Sequence, residues 1–209
     1  MEFRDEDVDV GNTEHAEPSD TEHAEPASED ELLDELTDIR LTPSEHQRVK
    51  DLVNGDQLNR IEDYERRYLV VGAGGETGAA TRRTLVSELL DARTDPPAVA
   101  TRLEDFGLTP EDLRLWSRVF DILCGRATHI VAVIEDFDGG YVWELGLLFA
   151  PSYREKVWVL KRRYPNAETE RDRYENGMAI SHVELLLTGP RAYEWTDITA
   201  LRDVVSEVP

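Results

Sequence analysis

Asp138 and Glu144 lie six residues apart, separated by a glycine pair, Gly139-Gly140, and then Tyr141. Glycines let a backbone approach a ligand closely, so both carboxylates could reach one small substrate, one as a nucleophile and the other assisting a leaving group. Glu144 is the sharper candidate. Between Tyr141 and Ala150 it is the only residue charged at neutral pH. On a helical wheel Val142, Leu145 and Phe149 form one apolar stripe, while Leu147 and Leu148 flank Glu144 on the other side, so its face is not an ordinary solvated one. A carboxylate among apolar groups costs free energy unless it is paired, hydrogen-bonded or used. The competing explanation is a structural ion pair, with Arg82 or Arg126 as the partner of Glu144 and Asp138 as a helix cap.

A second candidate site is Gly72-Ala73-Gly74-Gly75-Glu76-Thr77-Gly78, where Gly72, Gly74 and Gly75 are candidate ligand contacts. A glycine-rich turn into a helix presents backbone amides and the positive end of the helix dipole to an anion or polar ligand group. Its glycines occupy positions 1, 3, 4 and 7 rather than the 1, 3 and 6 of a dinucleotide fingerprint, and no P-loop lysine follows, so a tight turn without a ligand competes with the phosphate reading. Arg82 and Arg83 could meet a phosphate there, but they read first as a solvated helix start. His129 and His182 lack triad or metal-ligand spacing and read as ordinary histidines. Trp116, Trp143, Trp158 and Trp195 all fall in regular elements and read as core.

The elements that must hold these residues are strands alternating with helices. Tyr68-Leu69-Val70-Val71-Gly72-Ala73 is a continuous apolar run ending at the glycine loop, and a helix follows to about Ala92. Val99 to Leu103 gives a second strand, and Pro110 opens a helix to Cys124 with Gly125 as its stop. Residues 129 to 135 contain Ile130-Val131-Ala132-Val133-Ile134, with the length and β-branched content of a buried parallel strand. The Glu144 helix, a strand from Lys156 to Leu160, a helix over residues 176 to 188, an edge strand Arg191 to Trp195 and a helix capped by Asp197 complete the series. The pattern predicts an α/β fold, a Rossmann-like or flavodoxin-like three-layer sandwich on a parallel sheet of about five strands. The two apolar strands should be central neighbours, with both glycine loops at one crevice.

The stretch from Asp138 to Gly146, following an apolar strand and followed by the strand from Lys156 to Leu160, resembles the core of the nucleoside 2-deoxyribosyltransferases. In that family the glutamate of a Glu-Leu/Ile-Gly motif is the nucleophile, and the Asp-to-Glu spacing is the same. The resemblance extends over roughly residues 67 to 207. It implies Glu144 as nucleophile, Asp138 as its assistant, Asp105 as the nearest counterpart of the family's middle aspartate, and no cofactor or metal. Asn176-Gly177-Met178 is similar to an Asn-x-Met element that reaches a neighbouring subunit's site in that family, which implies a homo-oligomer. NAD-cleaving domains of the TIR type share the sheet order and a glutamate on the matching helix. The chain departs from the transferases after the first strand, where they usually carry an aromatic residue and a Gly-Pro or similar polar turn. The resemblance implies cleavage or transfer of an N-glycosidic bond in a nucleoside, nucleotide or NAD-like small molecule. A nucleotide-sensing module without turnover is the alternative, and an interaction protein acting through its acidic tail is a third.

Charge is concentrated at one end of the 209-residue chain. Residues 1 to 40 hold 16 Asp/Glu and two Arg, a balance of -14, which leaves -22 minus -14, or -8, for the remainder. That block carries an imperfect repeat, Thr13-Glu14-His15-Ala16-Glu17-Pro18 and Thr21-Glu22-His23-Ala24-Glu25-Pro26, and reads as a disordered acidic tail over residues 1–40. A helical lead-in over 41–66, with Thr42-Pro43 as a start and Gly55 as a break, precedes the α/β domain at 67–209. Three lysines stand against 20 arginines, and 45 Asp/Glu against 23 Lys/Arg, a pattern expected of a protein kept soluble in concentrated salt. Such a chain repels phosphate backbones at low ionic strength, which disfavours nucleic acid as a partner. The single cysteine, Cys124, allows no intramolecular disulfide and no cysteine metal cage. The sequence offers neither a membrane-length apolar run nor a signal peptide, so a soluble, cytoplasmic location is expected. Self-repulsion at a net charge of -22 should be relieved by screening. The melting temperature should therefore rise between 0.1 M and 2 M KCl; equal values would contradict salt adaptation.

Overall fold

The computed structural model describes residues 41–209 apart from 110, 111 and 149; the expected acidic tail over 1–40 lies outside the described residues. Two short helices, α1 (Pro43–Val53) and α2 (Asp56–Glu62), lead into the sheet. The start of α1 is fixed by a capping box, in which the Thr42 backbone N–H donates to Glu45 while the Thr42 hydroxyl accepts from the Glu45 amide. Leu58 and Ile61 of α2 are buried in the main core.

The α/β series is β1 (Arg66–Gly72), α3 (Gly78–Asp91), β2 (Ala98–Thr101), a 3-10 turn (Leu103–Phe106), α4 (Leu113–Arg126), β3 (His129–Ile134), α5 (Tyr141–Leu148) and α6 (Pro151–Arg154). It continues through β4 (Val157–Arg162), α7 (Ala167–Arg173), α8 (Gly177–Leu187), β5 (Ala192–Trp195) and α9 (Ile198–Glu207). All five strands are parallel, in the order β2-β1-β3-β4-β5. This is the flavodoxin-like order, whose switch point lies between β1 and β3. The expected neighbours are therefore adjacent, with Leu69 opposite Ile130 and Gly72 opposite Val133.

Period-2 alternation sorts the central strands into two cores. Leu69, Val71, Ile130, Ala132, Ile134, Val157 and Val159 face the layer holding α4, α5 and α8, and the short α1 and α2 pack on this side. Tyr68, Val70, Val131, Val133 and Leu160 face the layer of α3 and α9, which contribute Val86, Leu90, Leu201 and Val205. Both faces are covered, which makes three layers. At the edge, the Asp197 side chain accepts from the amides of Thr199 and Ala200 to start α9. No helix among the described residues is long and apolar enough to cross a membrane.

One tryptophan departs from expectation. Trp195 is buried and Trp158 stacks on Tyr193, but Trp143 is 83% exposed. On α5 the buried residues Tyr141, Leu145 and Leu148 define the inner face, and Trp143 projects from the opposite side with Leu147. Helical spacing, not apolarity, decides which side chains are covered.

Gly72 closes β1 beside Val133 of β3. Its φ is +148°, and a Cβ there would lie 2.5 Å from the carbonyl oxygen of Val133 on β3. Gly72→Ala should force the two central strands apart and lower stability by about 1–3 kcal/mol, read as a shifted urea midpoint; an unchanged midpoint would show that the strand ends absorb the methyl group.

Candidate functional site

The loops after β1 and β3 leave the same edge of the sheet, and a cavity of about 1000 Å³ opens between them. Gly72, Gly74, Gly75 and Gly78 line it from one loop, and Asp138, Gly139, Gly140 and Tyr141 from the other. Glu144, on the first turns of α5, lines it too. The two glycine-rich loops expected to meet do so. Gly75 and Gly139 have φ of +76° and +87°, and a Cβ at either would meet nothing within 4 Å. Their glycines serve a backbone turn beside open space rather than close packing.

Glu144 is partly buried and makes no hydrogen bond or ion pair among the described residues. Neither arginine suggested as its structural partner pairs with it: Arg82 binds Glu135, and Arg126 binds Glu62. Burial pushes the Glu144 carboxyl up to about 7, with the Arg83 guanidinium opposing that rise and the Glu104 carboxylate adding to it. Asp138 is exposed at the mouth, and its backbone N–H donates to Asp136 Oδ1 at 3.2 Å. The neighbouring Asp136 is occupied, accepting from the Tyr141 hydroxyl and lying 3.7 Å from Arg173. Tyr141 is thereby pinned at the start of α5, and burial beside Asp136 raises its phenol above the ordinary range.

The opposite wall is an ionic cluster that the pattern of motifs did not reveal. Glu135 follows Ile134 directly, and alternation turns it toward α3. There Arg82 Nε and Nη2 donate to its two oxygens at 2.6 and 2.5 Å. One step beyond the Ile134–Lys161 register pair, Arg162 at the end of β4 donates to Glu135 from Nη1 at 2.8 Å. The Tyr164 hydroxyl donates to the Glu135 backbone carbonyl at 2.8 Å, and burial raises its phenol despite Arg162. Arg82 is thus not a solvated helix residue, and neither is Arg83, which is 5% exposed and paired with Glu104. The available sequence signal was a charged residue immediately ending a buried strand, Glu135, with arginines on the flanking elements.

Asp105 and Asn176 lie outside this cavity. Asp105 binds Arg102 at 2.7 Å within the 3-10 turn, and it is the preceding residue, Glu104, that faces the cavity. Asn176 caps α8, accepting from the Ala179 amide at 3.2 Å. His129 sits where β3 begins, at the other end of the sheet from the cavity, and burial lowers its pKa. Cys124 is buried in the core, where desolvation pushes its thiol up to about 12 and leaves no thiolate nucleophile at neutral pH. No cluster of three or more His, Cys, Asp or Glu suited to a metal ion occurs among the described residues.

Glu135 is 3% exposed and holds two guanidiniums, so Glu135→Gln should leave both short of a counter-charge. A loss of about 3 kcal/mol is expected, toward the low end of the range for a broken buried pair because Arg82 and Arg162 keep some contact with solvent. Guanidinium denaturation checks this, and a change below about 0.5 kcal/mol would show that the cluster does not brace the sheet edge.

No match was found among curated proteins or among solved structures. The model of a family of unknown function, DUF8170, matches residues 16–189, which include both glycine-rich loops, Glu135 and Glu144. The chain therefore belongs to the DUF8170 family.

Proposed function

We propose that the protein cleaves or transfers the N-glycosidic bond of a nucleoside, nucleotide or NAD-like substrate, with Glu144 as the nucleophile. The observation that carries this reading is a carboxylate facing a large cavity with no hydrogen-bond or ion-pair partner among the described residues. A carboxylate with no bonded partner is free, once ionised, to meet developing positive charge, and an anomeric carbon losing its base develops such charge. A Glu144 carboxylate oxygen attacks that carbon, the carbon–nitrogen bond breaks, and its electron pair departs with the base. Asp138, exposed at the cavity mouth, assists the base by proton donation or hydrogen bonding. Water resolves the glycosyl ester in cleavage, and a second base resolves it in transfer.

A second reading is a nucleotide sensor of TIR-like fold without turnover. It is favoured by α5 itself, which carries Glu144 toward the cavity and Trp143 outward, so one short helix joins ligand and surface.

The purified protein should release base from nucleosides, nucleotides or NAD, detected by mass spectrometry. Glu144→Gln keeps the shape but removes the attacking anion, so turnover should fall by roughly 1000-fold or more with ligand affinity little changed. Base release at the wild-type rate by a folded Gln variant would sink the glycosyl-enzyme mechanism. Because the nucleophile must be ionised, kcat/KM should rise with pH through about 7, the value to which burial pushes Glu144. Stability should move the other way. A carboxyl whose folded-state pKa is raised favours the folded state while protonated and loses that contribution as pH climbs through about 7. Glu144→Gln should escape this loss and melt no lower than wild type above that pH.

A further inference from the structure

Arg82 and Arg162 share one carboxylate. Two guanidiniums on Glu135 leave this trio one positive charge in surplus, within a cavity lined by four arginines and five acids, and neither arginine of the trio has another acid within ion-pair distance among the described residues. Both are held in place. The Arg162 guanidinium carbon lies 4.8 Å from the Tyr164 ring centroid and 5.4 Å from that of Trp195. Tyr164 is fixed by its hydrogen bond to the Glu135 carbonyl. Arg82 gives Nε and Nη2 to Glu135, and its Nη1 is turned toward the glycine loop, where a Cβ on Gly78 would stand 3.3 Å away. Arg82 lines the cavity together with Gly74 and Gly75, where a Cβ would meet nothing within 4 Å. The 14-residue α3 begins at Gly78 and adds the positive end of its dipole to the same spot.

Charge in the cavity is divided. Glu144 senses Arg83 and Glu104, whose charges are engaged with each other, whereas the surplus cation belongs to the Arg82–Glu135–Arg162 wall. A volume of about 1000 Å³ is at the upper end of ordinary small-molecule sites, roughly 300–1000 Å³, and leaves room for more than a base and a sugar. Guanidinium donors, a glycine-rich loop and a helix start around one cavity suit a tetrahedral oxyanion.

We infer that the substrate carries a phosphate group, seated between the Gly74–Gly78 loop and the guanidiniums of Arg82 and Arg162, while its glycosidic carbon lies at Glu144. The substrate class is thus a nucleotide or dinucleotide rather than a free nucleoside. The position of the glycosidic carbon rests on the glycosidase reading; the phosphate seat does not.

Calorimetry on the full chain in buffered KCl tests the two separately. The probes are inorganic pyrophosphate, adenosine and the four 2′-deoxynucleosides, their 5′-monophosphates, and NAD against nicotinamide riboside. Pyrophosphate should bind alone, and at least one phosphorylated probe should bind about tenfold or more tighter than its unphosphorylated partner, as expected for charge-assisted bonds. Arg82→Gln should abolish most of that preference. If that variant melts early, Arg82→Lys retains a cation for Glu135 and should lose part of the preference while folded. Phosphate preference without base release would uphold the seat and overturn the glycosidase reading. Base release from nucleosides with no phosphate preference would do the reverse, and failure of pyrophosphate and every nucleotide to bind would overturn the seat.

Discussion

The adjacency of β1 and β3 is the constraint on which the site depends. The chain leaves β1 into α3 on one face of the sheet and leaves β3 into α5 on the other, so the two exits diverge and cannot close over the strand ends. A crevice at that point is a consequence of connectivity, before any particular side chain is chosen. Gly72 lets the strands meet tightly up to the last pair, and the glycine-rich turns carry the backbone away on either side.

What fills the crevice follows from parity. Successive residues of a strand alternate between faces, so the end of β3 delivers Ile134 to the core beneath α5 and Glu135 to the side of α3. The same alternation on β4 brings Arg162 beside Glu135 and sends Lys161 to the opposite face, where it lies 4.7 Å from the Tyr174 ring centroid and bonds Glu170 at 3.1 Å. Charged residues at the ends of adjacent strands are thus sorted without a sorting motif. The cluster on the α3 side braces the strand ends, and Glu144 stands outside it.

Much of the architecture was legible in the sequence because continuous apolar runs and glycine stops are local signals. The strands from Tyr68 and from Ile130, their adjacency, the Asp197 cap and the meeting of the two loops all follow from short-range patterns. Partnerships between distant residues were less legible. Arg82 next to Arg83 at a helix start looks solvated until the strand carrying Glu135 is laid against it, and Trp143 looks like core until α5 is rotated onto its buried stripe. Asp105 and Glu104 are neighbours in sequence, and only the backbone of a tight 3-10 turn decides which one faces the cavity.

The eight-residue α5 also fixes how this chain can vary in length. Tyr141 is tied to Asp136, and each residue of a helix turns the next by about 100°, so the orientation of Glu144 is set by the count of residues from that anchor. One residue inserted between them would swing the carboxylate toward the direction now taken by Leu145, into the core. One residue deleted would swing it toward the direction of Trp143, into solvent. Relatives that share the pocket should therefore hold this interval constant while varying freely in loops that bear no such phase, and a change of length here would mark a member in which the carboxylate has left the pocket.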